Sequence, residues 1–341
     1  MRNLLNKIFS VTNDKSHKVV SIMGIKFKFR DTNKELKNLS NISKKNSEHI
    51  EKLQLYCDYL KILSECNGDI TKFPQAKGDF RTIQCIRTKG LVYIASILRN
   101  HNIEYWLDFG TLLGAYRNKG FIPWDDDIDI SVDREGSEKL KIIFQEEFKN
   151  TPFNIILIKQ TSGFFIRVRF NDFELLDIFP HDYSDNESAS YQELYEKILR
   201  AREEFYTKYP IKKLRNCSIK LEDTYEDIFR LYEKYDISHT HKRGKWLFRG
   251  IDTLTVNKKS NLHLSENLFP LRTIEFENYE FPAPNNIPKF LNESHHIGYY
   301  GDLNKFPEFS ASRFHISDEY TNKYLESLGK ELDAYLVSDI K

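Results

Sequence analysis

The chain has 341 residues, with 51 Lys and Arg against 50 Asp and Glu and a formal net charge of +1. So even a balance excludes a global field for nucleic acid or another highly charged partner, and the length suits one large domain or two modest ones. No apolar run approaches the ~20 residues of a membrane span. Met1–Ser10 is too short and polar for a secretory signal, and Cys57, Cys66, Cys85 and Cys217 lack metal-ligand spacing, which predicts reduced thiols in a soluble cytoplasmic protein.

Residues 1–30 carry Arg2, Lys7, Lys15, Lys18, Lys26, Lys28 and Arg30 against Asp14 alone. Lys18–Phe29, KVVSIMGIKFKF, alternates about one glycine and predicts a basic β-hairpin extension. It reads either as an accessory hairpin with solvated lysines, the more ordinary outcome, or as a peripheral contact with the inner membrane surface through Ile8, Phe9 and the lysines. Residues 31–66 are polar and helix-forming. Leu39, Ile42, Asn46, His49, Leu53, Tyr56, Leu60 and Leu63 recur at spacings of three and four. That register suits an amphipathic helix on its own domain, or a coiled coil joining a homodimer through residues 39–63 with Asn46 fixing the pairing.

Gly68, Pro74 and Gly78 make residues 67–79 a connector. Phe80–Asn100 predicts a helix with Ile83, Ile86, Leu91, Ile94, Ile97 and Leu98 on its apolar face. Tyr105–Asp108 then reads as a strand. Gly110-Thr111 makes a small-residue turn at a helix start, where amide groups approach a phosphate closely. Leu112–Tyr116 continues that helix, and Arg117 and Lys119 follow near an acidic group: Asp125, Asp126, Asp127 and Asp129. An arginine is usually a surface residue, but beside a metal-carboxylate site it reads as a phosphate clamp. Asp127-Ile128-Asp129-Ile130 alternates and predicts a strand with Asp127 and Asp129 on one face, and Asp125 in line if the strand starts early. Such a row repels itself unless a cation neutralises it, and hard oxygen ligands suit Mg²⁺ or Mn²⁺. The bland alternative is a solvated acidic turn after Pro123-Trp124, against which the flanking apolar residues argue.

Gly136–Lys149 predicts a helix and Phe153–Lys159 a strand. GFFIRVRF (Gly163–Phe170), with Arg167 and Arg169 on one face, and FELLDIFP (Phe173–Pro180) predict a hairpin. Strand periodicity puts Glu174 on the face opposite Asp177, either at the surface or supporting the site from behind. Residues 184–250 are helical and charged, clearest at Glu193–Tyr206 and Thr224–Tyr235. Lys242, Arg243, Lys245, Trp246, Arg249 and Gly250 form a basic-aromatic patch, read either as a solvated face or as a seat for an anionic substrate. Phe269–Asp302 holds a strand pair, a Pro-bounded turn at Pro282–Pro284 and a short helix. Residues 308–341 read as a C-terminal helical tail with a frayed end.

The run WLDFGTLLGAYRNKGFIPWDDDIDI, Asp177-Ile178-Phe179-Pro180 and the closing segment ending in Tyr300-Gly301-Asp302 together resemble the LicD family. That family includes bacterial phosphocholine transferases and, more distantly, fukutin-related protein, within the nucleotidyltransferase-fold superfamily. The resemblance implies an α+β fold over residues 80–307: a mixed sheet flanked by helices. It implies transfer of an alcohol phosphate, such as phosphocholine, from a CDP-alcohol to a hydroxyl of a glycan or glycolipid acceptor, with release of CMP. Asp127 and Asp129 would be metal ligands, Asp177 the third carboxylate as ligand or base, and Asp125 an additional ligand. Gly110 and Thr111 would cradle the donor phosphates and Arg117 would neutralise them, with Lys119, Arg167 and Arg169 as further substrate-binding candidates. The same residues also suit transfer of a nucleoside monophosphate with pyrophosphate leaving. A metal-dependent glycosyltransferase and a non-catalytic nucleotide- or glycan-binding scaffold are the remaining alternatives. Against the glycosyltransferase, Gly110-Thr111 precedes the Asp pair, and the intact acidic set disfavours the scaffold.

Overall fold

The computed structural model describes residues 9–14, 17–22, 25–30, 74–160, 163–215, 224–237, 242–249, 262–293 and 322–336, with a few single positions between 40 and 64 and residue 219. The chain divides into two compact units, 1–65 and 66–341. In the first, β1 (Phe9–Asp14), β2 (His17–Ile22) and β3 (Ile25–Arg30) form an antiparallel sheet in the order β1-β2-β3. The expected hairpin is the β2–β3 pair. The extension is a three-stranded sheet, because Phe9–Asp14 supplies a further partner for β2. The Leu39–Leu63 register lies outside the described residues, save that Asn46 is helical and exposed. The Tyr300-Gly301-Asp302 ending also lies outside them.

The second unit is built on a seven-stranded mixed sheet. Its elements run α1 (Gly78–Asn100), β4 (Tyr105–Leu107), α2 (Phe109–Asn118), β5 (Asp129–Asp133), α3 (Arg134–Glu147), β6 (Phe153–Gln160), β7 (Gly163–Phe170) and β8 (Phe173–Ser184). Then come α4 (Tyr191–Lys208), α5 (Ile211–Arg215), α6 (Tyr225–Lys234), β9 (Trp246–Arg249), β10 (Leu262–Leu264) and α7 (Ser265–Leu268). A separate two-stranded sheet, β11 (Arg272–Phe276) with β12 (Tyr279–Ala283), precedes α8 (Ile287–Glu293) and α9 (Asn322–Leu336). The long strand β8 is the spine. It pairs in parallel with β5, and antiparallel with β7 through its first half and β9 through its second. Burial on both faces explains its near-continuous apolar sequence.

Helix α1 buries the whole apolar face its periodicity predicts, Ile83 through Leu98. Gly90 lets it sit close on β8: a Cβ there would lie 2.8–3.1 Å from the Leu175 side chain. Helix α4 opens with a capping box between Ser190 and Glu193. It packs with α6 around Leu194, Ile198, Phe205, Ile228 and Tyr232. Asp182 on β8, fully buried, accepts both arms of Arg134 at 3.1 and 2.7 Å, which ties the start of α3 to the sheet. Among the described residues no helix is long and apolar enough to cross a membrane.

Candidate active site

Three pieces of chain converge on the aspartates: the start of α2, the loop from Lys119 to Ile128, and the paired strands β5 and β8. Asp108 links β4 to α2. Its carboxylate accepts the Phe109 N–H at 2.8 Å and the Ser131 hydroxyl at 2.7 Å, so it caps the helix and grips the neighbouring strand at once. The cap holds Phe109 at φ 46°, in the left-handed region a bulky residue rarely occupies. Gly110 and Thr111 follow inside the first helical turn, both buried. The Thr111 hydroxyl accepts the Asp129 N–H at 2.8 Å, and the Asp108 N–H donates to the Asp129 carbonyl at 3.1 Å. The Gly-Thr turn is thus a helix start whose hydroxyl pins the second aspartate.

The return loop is locked from far along the chain. Gly114 and Gly120 touch backbone to backbone: a Cβ on Gly114 would lie 2.5 Å from the Gly120 carbonyl. Glu277, in the β11–β12 turn, accepts the Phe121 N–H at 3.1 Å and both arms of Arg81 on α1 at 3.1 and 2.5 Å. Gln84 on α1 donates to the Asp125 carbonyl at 2.7 Å. Arg87 donates to the Asp126 carbonyl and, at 2.8 Å, to its carboxylate. Because α1 side chains take these carbonyls, no strand forms at Asp125–Asp127. The strand expected from Asp127 begins at Asp129 instead, and Asp127 stands exposed on the loop. Asp125 is buried at 7% exposure. One oxygen each from Asp125, Asp126 and Asp127 lie within 4.8 Å of one another, so Asp126, not named among the expected ligands, stands in the same cluster.

Asp129 lies opposite Asp177 in the parallel β5–β8 pair, so their side chains share a face of the sheet. Burial first, then the charges of Asp127, Asp177 and Asp125, raises the proton affinity of Asp129 well above the ordinary carboxylate range. Burial also raises Asp177, against the pull of Arg167. Arg167 donates to both Asp177 oxygens at 2.7 and 2.8 Å and to Glu174 at 2.7 Å. Glu174 therefore does not face away from Asp177 as strand alternation requires. The pairing of β8 with β7 jumps from Arg169↔Glu174 to Val168↔Leu176. The extra residue, Leu175, is a β-bulge that brings Glu174 round to the guanidinium of Arg167.

The other cations are distributed differently. Arg169 pairs with Asp172 at 2.8 Å, and Lys119 with Glu275 at 3.1 Å. Arg117 donates to Asn118 at 3.3 Å. The basic-aromatic patch disperses. Arg243 bonds Glu104 at 2.6 Å and stacks on Phe269, while Lys245 bonds the Glu187 carbonyl at 2.7 Å. Arg249 turns to the aspartate face. Its guanidinium lies over the rings of Phe109 and Phe179 at 4.9 and 4.6 Å, and its charge opposes the upward shift of Asp129. The sequence marked Arg249 as basic but gave no sign that β9 would carry it here.

Beneath the aspartates, His181 is buried at 1% exposure, edge-on to Trp106 and 3.7 Å from Asp108. Burial, with the neighbouring His263 and Arg249, pushes its imidazole well below the usual 6.5. A lowered folded value means that only the unfolded chain takes up this proton at first as pH falls. His181 thus contributes no destabilisation above about pH 6.5 and a growing one below it. Between pH 7 and 5.5, the stability of the wild type relative to His181→Gln is expected to fall by about 1 kcal/mol. Urea unfolding at the two pH values measures this, and parallel changes in both proteins would refute the neutral assignment.

A family model described as LicD/FKTN/FKRP, nucleotidyltransferase domain, matches residues 102–217, the span that carries every aspartate above. The lipopolysaccharide cholinephosphotransferase LicD of Haemophilus influenzae is 28% identical over 261 residues, 67% of this chain and 93% of that protein. The human ribitol 5-phosphate transferase FKRP is 29% identical over 99 residues, 26% of this chain and 19% of its own length. An uncharacterised protein of Rickettsia typhi is 28% identical over 148 residues, 41% of this chain and 42% of that one.

Proposed function

The chain belongs to the LicD family, and from that premise we propose that it moves an alcohol phosphate from a CDP-alcohol to a hydroxyl of a cell-surface glycan or glycolipid, releasing CMP. The observation that supports this most is the Asp129–Asp177 pair on adjacent parallel strands, with Asp127 and Asp125 close enough to raise the proton affinity of Asp129. Carboxylates crowded in this way fit a hard divalent cation such as Mg²⁺ or Mn²⁺. Asp127 and Asp129 would hold it, with Asp125 as a further ligand and Asp177 either a third ligand or, as argued next, the base. When bound, it supplies charge neutralisation at the donor phosphates.

The remaining work falls to side chains. Transfer breaks the bond between the β-phosphorus and the oxygen shared with CMP while a bond to the acceptor oxygen forms. The electron pair leaves on the CMP phosphate. Asp177, oriented by Arg167 and raised by burial, takes the acceptor's proton, as a general base with its proton affinity brought nearer to neutrality can do. The first turn of α2, with Gly110 and Thr111, presents its amide groups to the donor, and Arg117 at its far end adds positive charge.

Incubation with a panel of CDP-alcohols, Mg²⁺ and a sugar acceptor tests this. The expected products are CMP and a phosphodiester-linked alcohol on the acceptor, seen by mass spectrometry. An acceptor carrying CMP, or a sugar delivered from a UDP-sugar, would replace the reading with nucleotidyl or glycosyl transfer.

A further inference from the structure

Arg249 stands opposite His181 across the β8–β9 pair, and residues directly opposite in an antiparallel pair share a face. Asp177, Phe179 and His181 alternate along β8, so Arg249 rises from the same face as Asp177 and its parallel partner Asp129. Phe165, Phe179 and Phe109 form a row on this face, with ring centres 4.9 and 5.0 Å apart. Arg167 lies over Phe165 at one end, and Arg249 over Phe179 and Phe109 at the other.

A guanidinium within about 6 Å of ring faces is attracted by their π electrons, and the Phe109 and Phe179 rings, at 74° to each other, meet Arg249 from two sides. The two rings also tie Arg249 to the chemistry along the chain. Phe179 lies two residues beyond Asp177, and Phe109 immediately precedes Gly110-Thr111 at the start of α2. The left-handed Phe109, clamped by Asp108, presents its ring to this purpose.

We infer that, given the nucleoside-diphosphate donor proposed above, Arg249 is a further donor-binding cation: it grips the diphosphate at one end of the Phe165–Phe179–Phe109 row, while Arg167 at the other end orients Asp177. Two phosphate oxygens match its planar fork, and a lysine offers only a point charge. The Phe109 and Phe179 rings keep the fork in position before the donor arrives, which lowers the ordering cost of binding.

The test is titration calorimetry with CDP and Mg²⁺ on wild type, Arg249→Gln and Arg249→Lys, beside Mn²⁺ affinity of the nucleotide-free proteins. Arg249→Gln is expected to weaken CDP binding by about 10- to 100-fold, the scale of charge-assisted hydrogen bonds, without weakening Mn²⁺ binding. Arg249→Lys is expected to fall between. A CDP affinity in Arg249→Gln within about threefold of wild type, under 1 kcal/mol, overturns the inference and leaves the donor reading intact. Parallel losses of CDP and Mn²⁺ affinity also overturn it, since they report collapse of the aspartates. Wild type that binds no CDP removes the donor reading itself and the inference with it. Should Arg249→Gln fail to fold, Arg249→Lys carries the test, and wild-type CDP affinity there overturns the assignment.

Discussion

Asp129→Ala is expected to lower transfer by at least about 10³-fold, some 4 kcal/mol in the barrier, in a protein that melts no lower than the wild type. The two halves of this expectation have one cause. Asp129 is carried into a half-buried position beside Asp127, Asp177 and Asp125, and each of those neighbours makes its ionised form less favourable. In the absence of a cation that crowding opposes folding, so its removal relieves strain. The same crowding would draw the divalent ion proposed above to the site. Asp177→Asn is expected to be comparably inactive but less benign for stability, because Arg167 then loses a charged partner it holds through two bonds. Steady-state turnover in Mg²⁺ together with thermal melts reads both quantities. Near-normal turnover in Asp129→Ala would end the assignment of this group as the reacting centre.

A single methyl group in the wrong place should be almost as damaging as the loss of an aspartate. Gly114→Ala is expected to destabilise the protein by about 2–3 kcal/mol, within the range for overpacking, and to lower its melting temperature by roughly 5–10 °C. The added Cβ would meet the Gly120 carbonyl at 2.5 Å, the Ile122 nitrogen at 3.0 Å and the Phe121 carbonyl carbon at 3.3 Å. All three are backbone atoms, so no side chain can swing aside. The segment that must move leads directly into Pro123-Trp124-Asp125, and turnover should fall with stability. Gly329→Ala in α9 is the control. Its Cβ would come no nearer than 3.7 Å to Ile86, and helix propensity favours alanine there by up to ~1 kcal/mol. Equal melting temperatures for the two variants would show that the Gly114–Gly120 approach has no role in holding the loop.

Much of the fold was legible in the sequence because its signals are local. The apolar stripe of α1, the alternation of β7, the apolar run of β8 and the acidic run each declare themselves within a short window. What escaped depended on partners distant in the chain. The Asp127–Ile130 alternation promises a strand from Asp127, but Gln84 and Arg87 take the carbonyls of Asp125 and Asp126 and hold that stretch as a loop. Glu174 reads as a residue facing away from Asp177 until Leu175 bulges. Nothing in FELLDIFP marks the bulge except two adjacent leucines, both buried. Lys119 stands next to the acidic run in sequence yet pairs with Glu275. Arg249, far downstream, is delivered to the aspartate face by the β8–β9 pairing. Sequence proximity is a poor guide for long, flexible cations, whose position is set by whichever carboxylate or ring the fold brings within reach.

The anchoring of the loop by Glu277 bears on the order in which the molecule comes to life on the ribosome. Roughly 150 residues separate Asp129 from Glu277, and at ~5–20 residues per second their synthesis takes about 7–30 s. Throughout that interval the nascent chain already displays Asp125, Asp126, Asp127 and Asp129. It lacks the carboxylate that accepts the Phe121 N–H and joins the loop to Arg81. A chain interrupted before Glu277 contains all four of these aspartates, and Gln84, Arg87 and Thr111 to hold them, but not the carboxylate that joins the loop to Arg81. The β11–β12 turn therefore adds its part of the loop's anchoring late in synthesis, after the rest of the acidic group has been made.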